Sequence, residues 1–255
     1  MMAAVLLLCS GQIGDAETVR MGYFNLPPHH YADGNPAQPR GASIVYFEAA
    51  AKHMGVEVEW VGPLPLSRLF EYLQTGRVDG TVGFPDYSGF KGILHYPKTC
   101  MFLARPVLMV ERDNPLDRIS TIDDIRGYRI GVNVSILNRY TPLIDEHRNL
   151  ISLEALGGER WIEQNIRKLI TDRIDAFYDR QSYSMLFVAE EMGLRDQVKI
   201  LEVPDPPTPM CVVFSIIAPL GESLVERFNA ATPLIELNYE EVIQEEFEFI
   251  RSRER

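Results

Sequence analysis

The side chains able to do chemistry are few and scattered, and none falls into a spacing that catalysis or metal binding needs. The five histidines (His29, His30, His53, His95, His147) and three cysteines (Cys9, Cys100, Cys211) form no Cys-x-x-Cys pair and no His-Glu-x-x-His run. No Gly-x-Ser-x-Gly turn, Cys/His pairing or close carboxylate pair with a distinct acid and base is evident. Neither an enzyme nor a cofactor or metal is therefore expected. Other candidates concern binding. Tyr23 and Phe24 end the first predicted strand, the edge at which open α/β sheets hold ligands, with core packing the alternative. His29-His30-Tyr31 follows a proline pair and reads as a solvated loop, or as a cleft lip or adventitious metal site. Trp161, with Arg160 behind Gly157-Gly158, reads as helix core or cleft rim.

The elements that must position these residues alternate. Val19 to Phe24 predicts a strand, Gly41 to Met54 a helix, Val56 to Val61 a strand, Leu66 to Gln74 a helix and Gly80 to Phe84 a strand. This rhythm implies a parallel sheet covered by helices. It then repeats: Tyr128 to Val134 (YRIGVNV) echoes Val19 to Asn25 (VRMGYFN), and Leu169 to Ala176 (LITDRIDA) echoes Leu73 to Gly80 (LQTGRVDG). Because Asp79 and Asp175 recur in both halves, they read as turn-capping residues. Arg105 to Glu111 is strand-like, Asp113 to Ser120 a polar turn, and Thr121 to Gly127 a short capped helix. Val203 to Pro209 holds four prolines in seven residues, which forbid helix and enforce extended chain. Met210 to Ile216 reads as a buried strand, and Leu220 to Arg255 as a helical tail broken near Pro233, its six glutamates between 236 and 248 forming a solvated face. The chain thus leaves a first lobe, builds a second and returns: 17–110 with 206–255, and 111–205.

A length of 255 residues suits one or two domains, and the core can be large enough to need no disulfide framework. The net charge of −11 makes a phosphate backbone or anionic membrane a poor partner, so nucleic acid is not expected. Ala3 to Cys9 is a seven-residue apolar run followed by small residues, too short to span a bilayer. It reads as part of a signal peptide over 1–16, or as a buried first strand, although the basic start of a leader is missing. Cys100 and Cys211 read as two buried free thiols, a bridge between them being the other possibility.

In the order and spacing of its pieces, the chain resembles the family 3 extracellular solute-binding proteins of the polar-amino-acid type, as a divergent member. The pieces are Leu26-Pro27-Pro28; Gly41 opening a helix that ends Ala51-Lys52-His53-Met54-Gly55; Leu73-x-x-Gly76-Arg77-Val78-Asp79; Asp124 to Val132; Asp172-Arg173-Ile174-Asp175-Ala176 with Asp179 behind it; and Phe214-Ser215. The resemblance implies the type II periplasmic binding fold, an α/β architecture of two Rossmann-like lobes joined by a two-strand hinge and closing on a small-molecule solute.

It also implies site residues. An amino acid needs a cation for its carboxylate and a carboxylate for its ammonium. Asp179 stands where the family keeps its ammonium-binding Asp; the alternative is a surface Asp paired with Arg180. Counted forward from Asp79, Lys91 stands where the family has Arg; counted back from Tyr96, Phe90 does. Ser135 ends the strand where the family offers a hydroxyl to a carboxylate. Gly83-Phe84-Pro85-Asp86-Tyr87-Ser88 replaces the family's Ser/Thr-rich stretch, so that Phe84 and Tyr87 make the cleft more aromatic and Asp86 adds negative charge. These departures leave room for a polyamine-like, peptide-like or aromatic cation. The expected role is a periplasmic protein that hands an amino-acid-like or cationic solute to an ABC permease; the alternatives are a membrane-linked sensory or orphan binding protein and, on the same fold, a dehydratase-like enzyme.

Overall fold

The structure, a computed structural model, describes residues 17–86, 90, 92–134 and 142–253. The expected leader, with Cys9, lies outside the described residues. The chain begins with strand β1 (Glu17–Gly22), helix α1 (Ala42–Met54), β2 (Val56–Val61), α2 (Leu66–Gln74) and β3 (Gly80–Pro85), followed by two short strands, β4 (Leu94–His95) and β5 (Phe102–Ala104). Next come β6 (Val107–Glu111), β7 (Arg129–Asn133), α3 (Pro142–Glu146), β8 (Ser152–Leu156), α4 (Trp161–Ile170), β9 (Ala176–Asp179), α5 (Ser182–Glu191) and β10 (Val198–Glu202). The chain ends with β11 (Thr208–Ser215), α6 (Gly221–Ala231) and α7 (Tyr239–Arg253).

These strands form two sheets on one plan. The first has the order β2-β1-β3-β11-β4, with β5 also on β11; the second has the order β8-β7-β9-β6-β10. In each, the second strand lies parallel to two neighbours, β1 to β2 and β3, β7 to β8 and β9. In each, the fourth strand is antiparallel and is one of the two strands by which the chain crosses between the sheets. Parallel neighbours need a crossover of a dozen or more residues, which α1, α2 and α4 supply. Residues 107–110, expected in the first lobe, therefore belong to the second sheet as β6. Nothing local in RPVLMVE says which sheet an apolar strand will join; the β9 and β10 ladders decide it.

Each sheet is buried on both faces. In the first, Phe47, Phe214 and Phe228 fill the side under α1, α6 and α7, while Leu69, Leu73 and Val213 fill the side under α2. In the second, Ile166, Phe177 and Met185 pack under α4 and α5, and Leu108, Ile130 and Tyr178 on the other face. Burying each such side chain contributes about 1.5–3 kcal/mol.

The repeated sequence signatures correspond to repeated contacts. The Asp79 carboxylate accepts the backbone N–H of Arg20 at 2.8 Å, and Asp175 that of Arg129 at 2.7 Å, so each ties the start of its strand to the neighbouring parallel strand, β1 or β7. They act across strands and do not cap their own turns as expected. Gly22 and Gly131 occupy matching places: a Cβ would sit 2.5 Å from Leu69 Cδ1 in one and 2.3 Å from Asn165 Oδ1 in the other. Glycine here lets a helix lie close on its sheet.

The two crossings run side by side. Arg105–Pro106 joins β5 to β6, residues 203–207 join β10 to β11, and Val203 N–H donates to Pro106 O at 2.9 Å. Next to them, on the first sheet's side, Cys100 and Cys211 form a disulfide, which corrects the expectation of free thiols. The pairing of β5 with β11 brings together two cysteines 111 residues apart, a proximity no local pattern shows.

Two further expectations are overturned. His29, His30 and Tyr31 are buried, not a solvated loop: His29 stacks on Phe102 with centroids 4.8 Å apart and its Nδ1 lies 2.7 Å from Tyr239 Oη. Burial pushes both imidazoles down to about 3, so they stay neutral. Glu246 is not on a solvated face; it is buried, accepting from Tyr31 Oη at 2.6 Å and from Arg40 at 3.2 Å.

Candidate functional site

A cleft of about 720 Å³ lies between the sheets, at the carboxyl ends of their parallel strands. This is where open α/β sheets place ligands, because the strand-to-helix loops there are free to vary. From the first sheet, β1 sends Phe24, Asn25 and Leu26 into the cleft, β2 sends residues 63–67, and β3 sends Gly83, Phe84 and Pro85. From the second, β7 sends Asn133 and Val134, β8 sends residues 157–159 with Trp161, and β9 sends Asp179, Arg180 and Gln181.

The first-sheet wall is mostly apolar, Asn25 and Ser67 being its polar members. Phe84 meets Phe70 edge to face at 5.4 Å and Phe90 at 5.2 Å, while Phe70 and Phe90 stack at 5.2 Å. Phe24 packs edge to face on His30 at 4.6 Å. Gly83 completes the wall: its φ is +66°, and a Cβ would lie 2.4 Å from the His30 ring. Glycine is required there both by conformation and by space.

The second-sheet wall carries the charge. Asp179 ends β9 and is 2% exposed. Its Oδ1 accepts the Gln181 N–H at 2.7 Å. Burial pushes its carboxyl up to about 7, against the lowering pull of the Gln181 and Arg180 N–H groups and the Arg180 charge. A carboxylate so desolvated is favoured by any cation that enters beside it. Arg180 also lines the cleft, and its guanidinium donates to Thr208 Oγ1 at the start of β11. Trp161 reaches the cleft at the head of α4 and meets Phe177 edge to face at 5.5 Å, so it is both rim and packing residue.

Of the residues expected in the site, Asp179, Phe24 and Phe84 are brought together in the cleft. Asp179 is buried and not a surface residue. Tyr23 is not in the cleft; it is a core residue, meeting Trp60 edge to face at 6.2 Å and donating its hydroxyl to Pro36 O at 2.8 Å. The reason is the strand's period of two: Val19, Met21 and Tyr23 share the core face, which turns Phe24 the other way. Asp86 is not among the cleft-lining residues; its N–H donates to Pro209 O at 2.9 Å. Lys91, Tyr87 and Ser135 lie outside the described residues. Sequence reasoning missed Gln181 and residues 63–67. The strand-end rule that singled out Phe24 would have found them if applied to β9 and β2.

No family model matches the chain, and no curated protein matches it by sequence. Solved structures do. The VFT2 domain of Bordetella pertussis BvgS superposes with a TM-score of 0.71 at 14% identity, over 91% of this chain and 92% of that one. The amino acid ABC transporter substrate-binding protein AbpA of Streptococcus pneumoniae, bound to L-arginine, gives 0.70 at 17% identity, over 91% and 94%. An ancestral amino-acid-binding protein, a precursor of cyclohexadienyl dehydratase, gives 0.69 at 20%, over 90% and 95%. The chain has the type II periplasmic binding protein fold, shared by amino-acid-binding proteins of ABC transporters and by sensor domains. Among the described residues, no helix is long and apolar enough to cross a membrane and no cluster of His, Cys, Asp and Glu is arranged to hold a metal ion.

Proposed function

We propose that the chain is a periplasmic binding protein that captures a small amine-bearing, amino-acid-like solute by closing its two lobes. The observation that carries this is Asp179, a buried carboxylate on the polar second-sheet wall of a cleft whose opposite wall is mostly apolar. Desolvation penalises its charge, and a ligand ammonium offsets that penalty; truncating one member of such a buried pair costs about 2–5 kcal/mol. The apolar wall opposite suits a ligand with a hydrocarbon or aromatic body. Closure is proposed to pivot at Arg105–Pro106 and at residues 203–207, the moving bodies being the two sheets with their helices.

The periplasmic assignment is supported by the Cys100–Cys211 disulfide, since such bonds persist in oxidising compartments, and by the likeness of fold to the periplasmic domain of Bordetella pertussis BvgS. Delivery to an ABC permease is the leading role. The likeness to BvgS favours a second one, in which closure reports the solute to a membrane sensor. No enzymatic role is proposed.

A thermal-shift screen over amino acids, polyamines and short peptides, followed by calorimetry, tests the reading. Asp179→Asn is expected to weaken the best cationic hit by about 30-fold or more. Unchanged affinity in that variant, or a screen answered only by dicarboxylates or neutral sugars, rejects amine recognition.

A further inference from the structure

Gln181 lines the cleft two residues beyond Asp179 and is 9% exposed. Its backbone N–H is committed to Asp179 Oδ1, and its side chain does not cap α5. Its side-chain oxygen, Oε1, is buried with no hydrogen-bond partner. A buried acceptor without a donor destabilises the fold unless a water or a ligand supplies the donor, and in a ligand cleft the ligand can do so. Asp179 faces the same cleft and favours a cation. A donor that satisfies both groups is a cation bearing several N–H bonds.

Building on the amine-binding reading above, we infer that Gln181 selects the ligand headgroup: its Oε1 and the Asp179 carboxylate form a two-acceptor seat for a primary ammonium or guanidinium. A quaternary ammonium of equal charge satisfies the Coulombic demand of Asp179 but brings no N–H to Gln181. It leaves that oxygen buried and unpaired beneath a methyl group. Charge admits a cation, and hydrogen-bond count decides which one. The asymmetry is a general one: a site built to hydrogen-bond a group rejects an analogue lacking it far more strongly than an apolar pocket rejects a size change.

The test compares phenethylammonium with its N,N,N-trimethyl form, and L-arginine, which carries both a primary ammonium and a guanidinium, by calorimetry on the whole chain and on Gln181→Met and Gln181→Glu. The wild type is expected to prefer phenethylammonium over the trimethyl form by about 10-fold or more, the scale of one hydrogen bond to a charged group. Gln181→Met should cut that preference to about 2-fold, mainly by weakening the primary amine, while Gln181→Glu keeps it. Because Oε1 has no structural partner, Gln181→Met should also melt no lower than the wild type. A preference unmoved in Gln181→Met, or a lowered melting temperature there, overturns the inference and leaves amine binding standing. If neither phenethylammonium nor L-arginine binds the wild type, amine binding itself falls, and the inference with it.

Discussion

In the first lobe the strand ends present Phe24 and Phe84 backed by Phe70 and Phe90; in the second they present Asn133, Asp179, Arg180 and Gln181. Beneath these contrasting faces the scaffold is the same: Arg20, Gly22 and Asp79 do in one sheet what Arg129, Gly131 and Asp175 do in the other. The repeated residues sit at strand starts and helix–sheet contacts, where geometry is dictated. The divergent ones sit at the carboxyl ends, where loops vary without disturbing the ladder. A ligand held between a mostly apolar wall and a polar one is best two-ended, as an amine with an apolar body is.

The largest expected effect breaks the symmetry of the scaffolds. Only the first lobe has a disulfide among the described residues, and the bond closes a segment that contains the whole second sheet and both crossings. Replacing Cys100 and Cys211 together by Ser should cost about 2–5 kcal/mol in chemical denaturation, and reductant should lower the wild-type melting temperature without touching the double variant. Equal stability of the two proteins would mean that the pairing of β5 with β11 holds the crossings unaided.

Next in size is the separation of function from scaffold within the second lobe. Asp179→Asn should lose about 30-fold or more in affinity for a cationic ligand yet raise the melting temperature of the ligand-free protein at pH 8, because it removes a desolvated charge. A scaffold aspartate should do the reverse. Asp79→Ala is expected to lower stability by about 1–3 kcal/mol by orphaning the Arg20 N–H, with affinity unchanged. Asp175→Ala should cost less, since its side chain is 35% exposed against 5% for Asp79 and water can replace it. If Asp79→Ala and Asp175→Ala cost the same, the two lobes are not as differently buried as their exposures indicate.

What was legible in the chain divides along the same line. Helices α1 and α2 and strand β2 fall where the sequence places them, since Gly55 ends one helix in a left-handed turn and period and caps are local signals. The recurrence of Asp79 and Asp175 was visible, but their partners across the sheet, Arg20 and Arg129, were not. Non-local facts were not: that β6 joins the second sheet, that two cysteines 111 residues apart meet, that Glu246 finds Arg40 and Tyr31. Tyr23 is different, because alternation with Val19 and Met21 already pointed it into the core.

The smallest effect is a pH dependence, and it sharpens the comparison because nothing in the apolar wall should share it. Burial raises the Asp179 carboxyl from its ordinary value of 3.8 to about 7. In the ligand-free protein this contributes stability that is fully present below the ordinary carboxylate range and lost as pH rises through about 7. Binding runs the other way: an ammonium partner needs the ionised form, which grows from about one-tenth of molecules at pH 6 to about nine-tenths at pH 8. An alkylammonium keeps its proton throughout, with a pKa of about 10.4 for lysine. Affinity for such a ligand should therefore rise by about 10-fold between pH 6 and pH 8, with protons released on binding near neutrality. Calorimetry in buffers of different ionisation enthalpy reads both quantities. Asp179→Asn should flatten the profile, while Phe24→Ala should weaken binding of apolar-bodied amines equally at both pH values. A pH slope that survives in Asp179→Asn would move the titrating group elsewhere in the cleft.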